Sequence, residues 1–334
     1  MKKLINDPNQ AAREAIEGLV LAYPQYVQQL PGLQAVVRRD APVQGKTAVL
    51  TGGGSGHEPM FAGFVGPGMA DGSVAGHIFT SPPPDPIVST AKAIHGGSGV
   101  LFLYGNYSGD VLNFDMAAEQ LQADGIRVET VRITDDVASA PPDRREERRG
   151  IAGDFFVIKS ASARAAEGAD LSAVSAVAQA ANENTRSMGI ALSSCVIPAS
   201  GKPIFDISDQ EMELGMGLHG EKGIRREPML PADEITHLIL GRILEDLPVP
   251  SGSEVSILVN GMGATPLAEL LIVYRAAHRL LADAGISICR AHVGNFATSL
   301  DMAGCSVSLL RLTPMLKRLL LAPARCPAFI QVQE

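Results

Sequence analysis

The run Gly99-Val100-Leu101-Phe102-Leu103-Tyr104 carries no charge and almost no polar atom. A strand of that kind is covered on both faces, as in a parallel sheet flanked by helices. It therefore constrains the fold more than any other stretch. Glu254-Val255-Ser256-Ile257-Leu258-Val259 is a second run of buried type. The first ends in Gly105-Asn106-Tyr107-Ser108-Gly109-Asp110 and the second in Asn260-Gly261-Met262-Gly263-Ala264-Thr265-Pro266, and a helix-periodic stretch follows each, 111–121 and 267–284. Further strands are expected at 46–50, 127–133, 286–293 and 306–312, and helices at 10–22, 86–94, 155–167, 171–188 and 231–247. Repeated strand–loop–helix units predict α/β architecture in both halves, with mixed or parallel sheets. A length of 334 residues suits two domains. The boundary is expected near residue 188, giving domains 1–188 and 189–334, the last segment packing back on the first domain.

Charge and composition remove several function classes. A net charge of −8, with no Trp and only five Tyr, argues against nucleic acid, an anionic membrane or base stacking. The start, Met1-Lys2-Lys3-Leu4-Ile5-Asn6-Asp7, lacks the apolar stretch of a signal peptide, and no run approaches a membrane span. Cys195, Cys289, Cys305 and Cys326 are scattered, with neither CxxC spacing nor a disulfide framework. Reduced, mostly buried thiols in a cytoplasmic protein follow.

Three loops carry candidate chemistry. Thr51-Gly52-Gly53-Gly54-Ser55-Gly56-His57-Glu58-Pro59 follows the strand at 46–50 and reads as a glycine loop that could present backbone N–H groups to a polar ligand. It is neither a Walker A loop nor a GxGxxG loop, and a tight connection without a ligand fits it equally. Asp110 sits near a helix start, where a capping aspartate belongs. The loops of His57 and Asp110 would both lie at the carboxyl ends of parallel strands, where ligands of α/β sheets gather. In Gly215-Met216-Gly217-Leu218-His219-Gly220-Glu221, after a strand edge at 211–214, a histidine stands among three glycines. An imidazole on such a turn can act as a nucleophile, and a structural turn whose histidine bonds a carbonyl is the alternative. The run Asp143-Arg144-Arg145-Glu146-Glu147-Arg148-Arg149 reads as a solvated surface turn. Histidines 77, 95, 237, 278 and 292 have no motif around them.

The segments quoted above, with Phe79-Thr80-Ser81-Pro82, Gly263-Ala264-Thr265-Pro266 and Thr298-Ser299-Leu300-Asp301-Met302, resemble in order and spacing the K subunit of dihydroxyacetone kinases. The resemblance covers nearly the whole chain. It implies two α/β domains with the substrate site between them, and a homodimer. It implies that His219 forms a covalent hemiaminal with the ketone carbon of a short ketose, which glycerol cannot do. Gly54, Ser81 and His57 would hold sugar hydroxyls, Asp110 would be the acid/base residue, and His57 its partner at the reacting hydroxyl. No metal or cofactor is expected on this chain. Magnesium and ADP or ATP would sit on an L-type partner subunit, so ketose would be bound but not turned over alone. Metal ligation by His57, Glu58 and His219 is the weaker reading.

One departure from the family matters. A lysine commonly precedes Asn-Tyr-x-Gly-Asp, and this chain has Gly105 there. Space left by the lost side chain, filled by water or by Tyr104, suits a four-carbon ketose such as erythrulose as well as dihydroxyacetone. The competing function is a non-catalytic ketose sensor that docks on a transcription regulator. A nicotinamide-linked oxidoreductase fails for want of a dinucleotide loop.

Overall fold

The computed structural model describes residues 2–332. The chain forms two compact units, the first built from Lys2–Ile133, Phe155–Ala181 and the segment from Arg318, the second from Thr134–Asp154 and Asn182–Lys317. These are not the halves on either side of residue 188. That cut falls inside a strand of the second unit, and Thr134–Asp154 leaves the first unit to join the second.

In the first unit, α1 (Ala11–Ala22) leads into β1 (Val27–Gln29), β2 (Ala35–Arg38), β3 (Ala48–Ser55) and β4 (Gly72–Ile78). Then α2 (Pro84–Ile94), β5 (Val100–Gly105), α3 (Ser108–Ala123) and β6 (Val128–Ile133) follow. Helices α4 (Asp154–Ala166) and α5 (Leu171–Glu183) complete this part of the chain. The strand order is β1-β2-β4-β3-β5-β6, with β4, β3, β5 and β6 parallel. Every residue of β3 and β5 is buried. That agrees with the apolar run being covered on both faces.

In the second unit, β7 (Thr185–Ala191), β8 (Glu211–Leu214), β9 (Arg225–Pro228), β10 (Glu254–Gly261), β11 (Ser287–Gly294) and β12 (Gly304–Arg311) form a sheet of order β11-β10-β12-β7-β8-β9. Only β10 and β11 are parallel; the other pairs are antiparallel. The sheet's core gathers Ile235, Ile239 and Ile243 of α6 (Ala232–Asp246) and Leu270, Val273, Ala277 and Leu281 of α7 (Leu267–Asp283). That spacing lines one face of each helix, and it meets the alternate residues Val255, Ile257 and Val259 of β10.

Two sequence expectations change here. The helix expected over 171–188 stops at Glu183, and Thr185 starts β7, which is wholly buried between β12 and β8. Residues 211–214 are not an edge, because β9, unmarked in the sequence, covers β8. After β12, α8 (Pro314–Leu321) returns the chain to the first unit, where β13 (Ala324–Arg325) pairs with β14 (Ile330–Gln331). Lys159 Nζ on α4 donates to the Leu319 carbonyl at 2.8 Å, and Arg325 N to Pro67 O at 2.8 Å, pinning this last segment down. Among the described residues no helix is long and apolar enough to cross a membrane.

Candidate functional site

Five of the candidate residues lie in the first unit, at the carboxyl ends of the neighbouring strands β4, β3 and β5. Gly52, Gly53 and Gly54 are not loop residues: β3 runs on through Ser55, and its register against β4 shifts between Gly53 and Ser55. The reason is close passage rather than flexibility. A Cβ on Gly52 would stand 2.5 Å from the Val74 carbonyl oxygen, and one on Gly54 2.7 Å from Thr80 N. Glycine thus lets the turn 79–81 lie against the strand end.

That turn is held by Phe79 N donating to Ser55 O at 2.9 Å, with Phe79 itself at φ 57°. The strained backbone of a bulky residue brings its ring onto His57, centroids 5.0 Å apart and planes at 17°. His57 is 2% exposed. Ser81 Oγ accepts from Asn113 Nδ2 of α3 at 3.2 Å, and Ser81 Cβ would be 3.4 Å from a Cβ on Gly109. So the structure joins the Gly54, Ser81 and Gly109-Asp110 segments directly.

Asp110 is not the cap of α3. Tyr107 takes that place in extended conformation, and Asp110 is the third helical residue, buried in the first turn. Negative charge is favoured there by the helix's unpaired N–H groups. Gly105 closes β5, and its carbonyl accepts from Tyr107 N at 2.8 Å. Tyr104 does not fill the room beside it. Successive strand residues point to opposite faces, and Tyr104 belongs to the apolar core, stacked on Phe114 at 4.4 Å. Burial pushes its phenol up to about 12.

His219 belongs to the second unit, in the loop that follows β8. The loop leaves the strand at Gly215 (φ 80°), whose N–H donates to Gly189 O at 2.7 Å, and Gly217 N donates to Glu221 O at 3.1 Å. Ser299 Oγ donates to the Leu218 carbonyl from the Thr298–Met302 stretch. The Glu221 carboxylate meets His219 twice: Oε2 accepts the backbone N–H at 2.9 Å, and Oε1 lies 2.9 Å from Nδ1. Burial works to raise the Glu221 pKa, but the His219 hydrogen bond and charge, with Arg149, outweigh it and pull it to about 2. In the neutral ring, an ionised carboxylate on Nδ1 holds the proton there and leaves Nε2 as the lone-pair nitrogen. That nitrogen is chemically able to attack an electrophile.

Sequence reasoning left Glu221 without a role, although its place two residues after the histidine was a usable signal. The expectation of a solvated surface turn over 143–149 holds for 143–147 and fails at Arg148 and Arg149. Arg148 is fully buried, its guanidinium on both Asp246 oxygens (2.9 and 2.5 Å). Arg149 is 13% exposed and lies on Asp136 at 2.7 Å. The exposed part of the run is the 3-10 turn Pro142–Glu147. Mixed charge marks surface only when the partners are absent, and here they come from distant positions.

Residues 17–328 match the Dak1 domain. The PTS-dependent dihydroxyacetone kinase 2, dihydroxyacetone-binding subunit DhaK, of Listeria innocua is 46% identical over 98% of this chain and 99% of its own length. An L-erythrulose kinase of Pectobacterium atrosepticum is 44% identical over 98% of this chain, which spans 56% of that relative. Among solved structures, the dihydroxyacetone kinase from C. freundii in complex with AMP-PNP and Mg2+ superposes with TM-score 0.91 and 32% identity, over 99% of this chain and 61% of that one. The dihydroxyacetone kinase operon co-activator Dha-DhaQ superposes with TM-score 0.90 and 28% identity, over 98% and 99%.

Proposed function

The chain belongs to the Dak1 family, and from that premise we propose that it is the ketose-binding catalytic subunit of a dihydroxyacetone-type kinase, acting in the cytoplasm as a homodimer. It captures a short ketose on His219 and supports transfer of a phosphoryl group to the terminal hydroxyl. The observation that carries this reading is the Glu221 carboxylate on His219 Nδ1 at 2.9 Å. Nε2 then forms the bond to the ketone carbon while the carbonyl π pair moves to oxygen, which takes up one proton. The ring loses its Nδ1 proton to solvent, and the adduct is a neutral hemiaminal.

Asp110 takes the proton of the reacting hydroxyl, with His57 as its partner there, as the phosphoryl group arrives. Gly54 and Ser81 hold the sugar. Magnesium and ADP or ATP belong to an L-type partner. Gly105 widens the site, so that a four-carbon ketose is the preferred substrate; the erythrulose kinase names among the relatives support this reading. The test is phosphorylation of dihydroxyacetone and of erythrulose by the chain with and without an L-type partner, ATP and magnesium. Turnover only with the partner, and a higher kcat/KM for erythrulose, is expected. Steady turnover by the chain alone would remove the partner from the account, and a clear preference for the triose would remove the role of Gly105.

A second reading, a ketose sensor bound to a transcription regulator, is favoured by the likeness to the operon co-activator. His57 and Asp110 beside the substrate-type loops speak for the kinase. No turnover with any partner, together with retained adduct, would favour the sensor.

A further inference from the structure

We propose that Arg149 is a positioning residue for His219, acting through Glu221, and that the segment Thr134–Asp154 is built to hold it there. The inference rests on the capture of ketose by His219. A nucleophilic imidazole works only in one tautomer and one orientation, and Glu221 supplies both. Glu221 itself lies on a loop with its side chain 34% exposed, where a carboxylate would have several rotamers and water as a competing partner.

Arg149 removes that freedom. Its Nη1 is 3.9 Å from Glu221 Oε2, while Nη2 donates to the Gly215 carbonyl at 3.2 Å and to Asp136 Oδ2 at 2.7 Å. The guanidinium thus touches both ends of the His219 loop. Gly217 is the third part of the arrangement. A Cβ there would stand 2.2 Å from Glu221 Oε2 and 2.5 Å from Arg149 Nη1. The ion pair occupies the space that a side chain at Gly217 would fill, so a Cβ there would push Glu221 and Arg149 aside.

The segment that bears Arg149 is tied down on both sides of its exposed turn, partly to its own unit and partly to itself. Thr134 N donates to Asn182 Oδ1 at 2.9 Å, and Asp135 accepts from Ile151 N at 2.8 Å and Gly153 N at 3.0 Å. Arg149 N donates to Ser139 Oγ at 3.0 Å, and its carbonyl accepts from Asp136 N at 3.1 Å. Next to it Arg148 is clamped on Asp246 and on the Ala140 carbonyl. A loop needed only as a connection does not use a buried arginine, a second largely covered one and two buried aspartates. The set is what a site requires when a side chain must be held by packing and hydrogen bonds around it.

The test uses the full chain, with Arg149→Gln, Arg149→Lys, Glu221→Gln and Gly217→Ala beside wild type. Two readouts are taken: the 15N shifts of the His219 ring, which report the tautomer, and the rate of ketose adduct formation by intact mass. Wild type is expected to carry the Nδ1–H tautomer. Arg149→Gln and Gly217→Ala should shift the ring toward a mixture and slow capture about 10-fold to 100-fold, with Arg149→Lys restoring part of both. Ring shifts and capture rates unchanged in folded Arg149→Gln would overturn the proposal. A variant that unfolds is replaced by Arg149→Lys, whose smaller change must move both readouts the same way. If wild type forms no adduct at all, the capture reading fails, while the tautomer shifts still decide whether Arg149 orders the ring.

Discussion

The two units present their candidate side chains by different means. In the first, His57, Ser81 and Asp110 follow the ends of the parallel strands β3, β4 and β5, and the backbone does the placing. The loops lie together because three neighbouring parallel strands send their carboxyl ends in one direction. In the second, His219 follows β8, whose neighbours are both antiparallel. No sheet rule puts a ligand there. The histidine is placed by charge instead, through Glu221, Arg149 and Asp136. A site set by topology is anchored by the apolar core; a site set by ion pairs depends on each partner being present.

The difference predicts separable losses. The largest falls on the first unit: Asp110→Asn should lower kcat by about 10²–10⁴-fold, the usual worth of a positioned acid/base group, in a phosphorylation assay with partner and nucleotide. The fold should hold, since the change is isosteric. Unaltered kcat would remove Asp110 from the chemistry and leave the first unit a binding surface only.

Next comes Arg148→Ala in the second unit. It leaves Asp246 buried beside Arg186 alone, and removing one partner of a buried pair costs about 3–5 kcal/mol. Urea unfolding followed by circular dichroism would read it. A loss below about 1 kcal/mol would mean that the charge clamp is no stronger than a surface pair, and the contrast between the units would weaken.

The smallest effect is a pH slope. Burial raises the Asp136 carboxyl from 3.8 to about 6, against the pull of Arg149, with Asp135 adding to the rise. The folded state therefore binds this proton more tightly than the unfolded chain. The contribution to stability is complete below about 3.8 and is lost as pH rises through about 6. Urea midpoints of wild type should fall across that window more than those of Asp136→Asn. Equal slopes would show that Asp136 does not titrate there.

The same contrast explains what the sequence disclosed. The buried strands at 100–105 and 254–261, their flanking helices and the loops at their ends were readable, because hydrophobic runs and turn residues are local signals. His57, Asp110 and His219 stood out as candidates for a similar reason, because they stand in compact motifs. The exchange of Thr134–Asp154 between units was not, since nothing local marks a segment whose partners are Asn182, Asp246 and Glu221. Arg148 and Arg149 stood in a run of alternating charge, where solvent is the usual partner. The three glycines of β3 read as a loop because the neighbours that leave no room for a side chain, the backbone at Val74, the ring of Phe61 and the turn at Thr80, all lie outside the run itself.

The central proposal is that a short ketose is captured covalently on His219, and that Asp110 serves transfer and not capture. Intact-mass spectrometry after incubation with dihydroxyacetone or erythrulose, with borohydride trapping, tests it on wild type, His219→Ala and Asp110→Asn. The account predicts an adduct on wild type and on Asp110→Asn and none on His219→Ala. An adduct that survives in His219→Ala, or none on wild type with either sugar, would contradict it.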